Sequence, residues 1–378
     1  MRHTLLLNPL LHLTLAVLLL IPFYSHANST ITTDMKSIHK TMESLFPLAL
    51  KQKNLNTAEM NLIINNVNSL KNHVGHLKSI SSNKSDSFKI SNELLISQLD
   101  HIQAALKNKE DQYALSMIRE IPQMCNACHT QDEQTMHFDS SSIKEKLKSD
   151  FLRGEYHFMT RDYQEALLDY NDHLAKQKKI QHENNNAEAL EKILLIYIQV
   201  LRDTDSARIY FKRLLDSEKL NVGLAIDVNY WVESLEKIKY GPSDIKNIEE
   251  LETKVHSVLK FKDNSDLPIF IDSENKADAL WVRALVYDFM NREPKQDDSA
   301  KLLYWLASLE SALDFGLSYQ LPEVYLKHCI VTYPKDPYAK KCYSQYRLQM
   351  EFNYTGSSGT HLPYYKKLEL ESLEKIIQ

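Results

Sequence analysis

The chain has 378 residues, too many for one ordinary hydrophobic core, so two domains are expected. Hydrophobic residues make up 43% and charged residues 25%, the balance of a soluble globular protein, and with 7 Gly and 11 Pro there are too few turn formers for a β-rich fold. A net charge of −5 without a long basic run gives no electrostatic case for nucleic acid, and Lys176, Lys178 and Lys179 read as a solvated helix end.

Arg2 and His3 precede an apolar stretch over 5–23 that Asn8 and Pro9 interrupt. Ser25-His26-Ala27 then offers a small-x-small cleavage pattern, so 1–27 is expected to be a signal peptide cut after Ala27. A retained anchor is the competing reading. No later stretch approaches the roughly 20 apolar residues that span a bilayer, so no integral membrane segment is expected after cleavage.

Residues 31–130 read as four helices of similar length. The first is expected to start at a Thr33/Asp34 cap and run to about Gln52, carrying Met35, Ile38, Met42 and Leu45 on one face; Pro47 should bend or break it near Phe46. The second, 57–80, repeats Met60, Ile63, Val67, Leu70, Val74 and Leu77 at helical spacing. After a polar loop the third covers 87–108 through Ile90, Leu94, Leu99 and Ile102, and the fourth 110–129. Short connections between such helices predict an up-down-up-down four-helix bundle.

The fourth helix ends in Cys125-Asn126-Ala127-Cys128-His129. Two thiols separated by two residues can add across the vinyl groups on one porphyrin edge, and the adjoining imidazole then falls under the iron. Covalent haem c on Cys125 and Cys128, with His129 as proximal ligand, is therefore expected. A thioredoxin-like motif would follow a strand in a βαβ unit, a zinc site would need a second close ligand pair, and a plain disulfide across two residues is the remaining rival.

This motif, closing the last helix of an exported four-helix domain, resembles the cytochrome c prime superfamily over about 31–130. The resemblance implies a haem inside the bundle, with a residue early in the first helix on its distal side: methionine in low-spin members, an apolar residue in gas-binding high-spin ones. Antiparallel pairing puts Met35 level with His129, which makes Met35 the candidate distal ligand. A bundle-end core role is its alternative, His39 is the next candidate, and Met42 belongs deeper in the core. The chain departs from the superfamily in having Thr130-Gln131-Asp132 after the histidine, where an aromatic and a basic residue are common, and in Pro122 within the fourth helix.

Residues 131–149 read as a linker, and 150–378 as helical hairpins. Gly154, Ala166 and Tyr170 fall at the spacings of a tetratricopeptide repeat, as do Ala207 and Phe211, and Ala300, Tyr304 and Ala307. The interval between Ala166 and Ala207 exceeds the roughly 34 residues of that family, with 182–186 as a loop insertion, so the expectation is a degenerate α-solenoid. Residues 244–261 read as a further helix before a loop at 263–272. Cys329 and Cys342 flank a Tyr333-Pro334-Lys335-Asp336-Pro337 turn, and an oxidising compartment favours a disulfide over free buried thiols. Gly356 and Gly359 lie in a loop, 355–363, that either caps the last helix (364–377) or forms an anion nest. The whole chain resembles a family of exported Gram-negative bacterial proteins that pair a cytochrome c bundle with tetratricopeptide-like repeats and a similar tail.

The reading is a periplasmic monohaem c-type cytochrome that transfers electrons and docks a redox or scaffold protein through its repeats. An electron carrier is expected rather than an enzyme, since no Ser-His-Asp set, paired carboxylates or phosphate loop stands out. The alternatives are a five-coordinate haem protein that binds gas or reduces peroxide, and a non-catalytic periplasmic adaptor.

Overall fold

In the computed structural model the described residues are 22–50, 55–80, 86–129, 143–183, 185–259, 275–292, 298–313, 321–357 and 359–378, with side chains at 22–31, 87, 123 and 126–129 left out. They form sixteen α-helices, and the protein is almost entirely α-helical. An N-terminal helix cluster is followed by a stack of paired helices.

The cluster contains α1 (Pro22–Ala49), α2 (Thr57–Ile80), α3 (Asp86–Lys107) and α4 (Asp111–His129). Each packs on the next, and α4 returns to α1. Thr41 faces Ser69 and Ser44 faces Asn66, so α1 and α2 run antiparallel; Lys71 with Gln103 and Lys78 with Glu93 do the same for α2 and α3. The periodic residues Ile63, Val67, Leu70 and Val74 are all buried, each such side chain contributing about 1.5–3 kcal/mol of transfer free energy.

Two details differ from the sequence expectation. α1 is already helical from Pro22, well before the expected Thr33/Asp34 cap, and so passes through the expected cleavage position after Ala27. No Gly or Pro interrupts 23–34, and the carboxylate of Asp34 is engaged by α2 instead of capping its own backbone. At its other end α1 stops at Ala49, with Pro47 inside the last turn. Proline removes one donor from the ladder, and the final bond runs from Leu50 N to Phe46 O at 3.2 Å. Pro122 likewise lies inside α4, which continues to His129.

The expected linker is only partly described. Its last residues form a short turn, α5 (Ile143–Lys146), whose Ile143 is fully buried in the N-terminal cluster. Beyond it come α6 (Asp150–Met159), α7 (Tyr163–Ala175), α8 (Asn186–Leu195), α9 (Thr204–Asp216), α10 (Val222–Lys237), α11 (Ile248–Val258), α12 (Lys276–Arg292), α13 (Ser299–Leu313), α14 (Leu321–Thr332), α15 (Pro337–Asn353) and α16 (Tyr364–Ile377). Starts are set by side-chain caps: Asp203 accepts from Ser206 N, Asn221 from Leu224 N and Asn247 from Glu250 N. α8 passes directly into a π-helical turn, Ile196–Val200.

Successive helices pair as hairpins, α6 with α7, α9 with α10, α13 with α14 and α15 with α16. Small residues set the closeness of α6 and α7, for a Cβ on Gly154 would stand 2.6 Å from the Tyr170 ring. Ala166, Ala207, Ala300 and Ala307 are fully buried, and Phe211 meets Trp231 edge to face at 5.3 Å. Cys329 and Cys342 are joined by a disulfide between α14 and α15.

The two regions share their cores. Tyr156 and Met159 of α6 belong to the N-terminal core, while Phe151 and Phe158 of the same helix belong to the core of the stack. In the other direction Ile90, Leu94 and Met124 of the cluster pack into the stack.

Candidate functional site

The end of the cluster where α4 finishes also holds the first half of α1 and the last turns of α2. Cys125, in the final turns of α4, is 8% exposed and shares a core with Ile38 and Met42 of α1 and with Ile118 and Ile121 of its own helix. Met35 is half-buried and packs against the same core. The backbone positions 125, 128 and 129 fall within one third of the helix circumference, because residues three and four apart on a helix are neighbours. The side chains of Cys128 and His129 lie outside the described residues.

His39, the second candidate for a distal ligand, is buried and already engaged. Its Nε2 lies 3.1 Å from the hydroxyl of Tyr156, and the two rings meet edge to face at 5.9 Å. Burial pushes the Tyr156 phenol well up, with the nearby Glu43 carboxylate adding to it, so the hydroxyl stays protonated. Met42 is 1% exposed, within the core as expected.

A second polar group at this end was not anticipated from the sequence. Asp34, 7% exposed, accepts from His73 Nδ1 at 2.9 Å and from His76 Nδ1 at 2.5 Å. Burial alone would raise its pKa, but the two imidazole hydrogen bonds outweigh it and hold the carboxyl below its ordinary 3.8. A carboxylate that engages a ring nitrogen fixes the orientation of the ring. The available signal was the spacing of His73 and His76, three apart on one helix face and therefore able to reach one partner.

Among the described residues no group of three or more His, Cys, Asp or Glu side chains is arranged to hold a metal ion. Nor, among them, is any helix long and apolar enough to cross a membrane.

The stack carries buried polar sets of a different kind. Arg283, fully buried on α12, donates to Gln199 Oε1 on the π-helical turn at 3.0 and 2.5 Å and to Glu310 at 2.8 Å. Tyr287 donates to the other oxygen of Glu310, also at 2.8 Å. His157, Asp169 and Arg153 form a second set, with Asp169 accepting from His157 Nδ1 at 2.7 Å and from Arg153 Nε at 2.9 Å. Every charge in these sets has a partner in the interior, which is the pattern of structural pairing rather than of a reaction centre. Within the 355–363 loop Thr355–Gly356 and Gly359–Thr360 pair as two short exposed antiparallel strands, and Thr355 and Thr360 meet through their hydroxyls at 2.7 Å. No family model, curated protein or solved structure matches the chain.

Proposed function

We propose that the protein is an exported monohaem c-type cytochrome that carries electrons, with the helix-pair stack as the surface that docks a protein partner. The observation that carries the reading is the Cys125-Asn126-Ala127-Cys128-His129 run at the close of α4. Support for its fit comes from the surroundings: a thiol at the rim of an apolar core, two further donor positions on the same helix face, and a thioether at the border of that core. These are the donors that covalent attachment and axial ligation need. When bound, a haem would supply an iron that accepts and releases one electron.

The chain's own residues have separable roles in this reading. Cys125 and Cys128 hold the porphyrin edge, and His129 provides the proximal nitrogen. Met35 is the proposed distal ligand, because a half-buried thioether is freer to move than His39, whose Nε2 faces Tyr156. Periplasmic location and partner docking rest on the leader-like N-terminus and on the extended surface that stacked helix pairs present.

The test is maturation of the full chain in a host that ligates haem. The expected product stays coloured on a denaturing gel, gains the mass of one haem, and loses both properties in Cys125→Ser and Cys128→Ser. Its oxidised and reduced spectra should be six-coordinate, and Met35→Ala should open the sixth position. A colourless product ends the reading; a five-coordinate spectrum that Met35→Ala leaves unchanged transfers it to gas binding or peroxide reduction.

A further inference from the structure

The far end of the chain returns to the N-terminal cluster where α14 packs on α3. Tyr333, just beyond α14, donates its hydroxyl to Asp86 Oδ2 at 2.6 Å. Asp86 begins α3 and also pairs with Lys89 at 3.2 Å. The His328 ring sits in the same contact. Its Nε2 is buried, finds no hydrogen-bond partner among the described residues, and stands 3.9 Å from Asp86 Oδ2, beyond hydrogen-bond reach.

We propose that His328 makes this contact acid-labile: the neutral imidazole lets α14 seat on α3, and a proton on the ring unseats it. The inference is independent of any haem. It rests on an interface that joins residues far apart in the chain and on a half-buried titratable ring whose Nε2 is buried in it.

The charged groups facing His328 decide the sign. Burial opposes the charged ring most strongly; Asp86 and Glu93 favour it and Lys89 opposes it, all three from α3. The favourable pair is already committed, Asp86 to Tyr333 and Lys89, and Glu93 to Lys78 at 3.1 Å. On its own helix, Lys327 is turned to Glu323 and to Glu369 of α16. Burial therefore prevails, and the seated ring titrates below its ordinary 6.5. A base whose pKa is lower when seated than when released stabilises the seated form above the released value, and that stabilisation is lost as the pH falls below 6.5.

Segment-resolved hydrogen exchange on the full-length protein, corrected for the intrinsic pH dependence of exchange, tests this at about pH 7.5 and about pH 5.5, either side of the free imidazole value. Amides of 86–93 and 325–332 should exchange several-fold faster at the lower pH, while those of α9 and α10 keep their protection. His328→Gln should abolish the acid response, and His328→Phe, a ring of similar size without a proton to gain, serves as the second variant. An acid response that survives in both variants, or equal protection of the two segments at both pH values in the wild type, would overturn the proposal.

Discussion

The four N-terminal helices and the helix pairs behind them keep their ionisable groups in different places. In the cluster His73 and His76 meet on Asp34 while still 32% and 48% exposed. In the stack Arg283 and His157 lie at 0% and 1% exposure, deep between helices and fully matched. The difference is one of screening. At Asp34 water reaches both imidazole partners and moderates the pairs, whereas inside the stack removal of one partner leaves the other as an uncompensated charge in a low dielectric.

The contrast can be broken experimentally, most forcefully at Arg283. Arg283→Met strands the Glu310 carboxylate, and chemical denaturation should show a loss of about 3–5 kcal/mol. A loss below about 1 kcal/mol, the surface-pair range, would mean that water reaches the network. Gly154→Ala probes packing in the same region. The added methyl meets the Tyr170 ring, an overpacking worth about 1–3 kcal/mol, from which a gain in helix propensity of about 1 kcal/mol is to be subtracted. Thermal melting should therefore show a modest net destabilisation, and a higher melting temperature would mean that the α6–α7 hairpin spreads freely.

The smallest effect is expected at the cluster end. Asp34→Asn should cost about 1 kcal/mol near neutral pH, since its imidazole partners are partly solvated. Because the folded carboxyl titrates below 3.8, its contribution is complete above that value and disappears as the pH falls through the lowered one. Urea titrations of wild type and variant should converge in that acid window. A gap as large as that of Arg283→Met would erase the distinction between the two regions.

Much of the helical layout was legible from the residues. The expected bounds of the second helix, 57–80, coincide with α2, and 364–377 with α16, because one apolar stripe at helical period sets each. Where the pattern has no phase, legibility fails. Ile193 to Ile198 is apolar throughout, so nothing local announces that α8 widens into a π-helical turn at Ile196. Helix ends were equally obscure in a glycine-poor chain. Lys109, Arg161, Arg202 and Glu218 all adopt positive φ just past a helical segment, a position where glycine usually gives the signal.

The candidate site divides along the same line. Cys125, Cys128 and His129 stand out because their spacing is local, and so do Cys329 and Cys342, which flank one turn. The hold of Asp34 on His73 and His76, and of Tyr156 on His39, joins segments far apart in the chain. Such pairs leave no periodic trace; only the packing of the helices brings them together.

Helix α6 turns Tyr156 and Met159 one way and Phe151 and Phe158 the other. During synthesis the first four helices emerge with a gap in their apolar interior that a later segment must close. A fragment cut near residue 145 would carry an open greasy flank, and its counterpart would lack the wall that Ile90, Leu94 and Met124 supply. Neither half is a cassette to be transplanted whole.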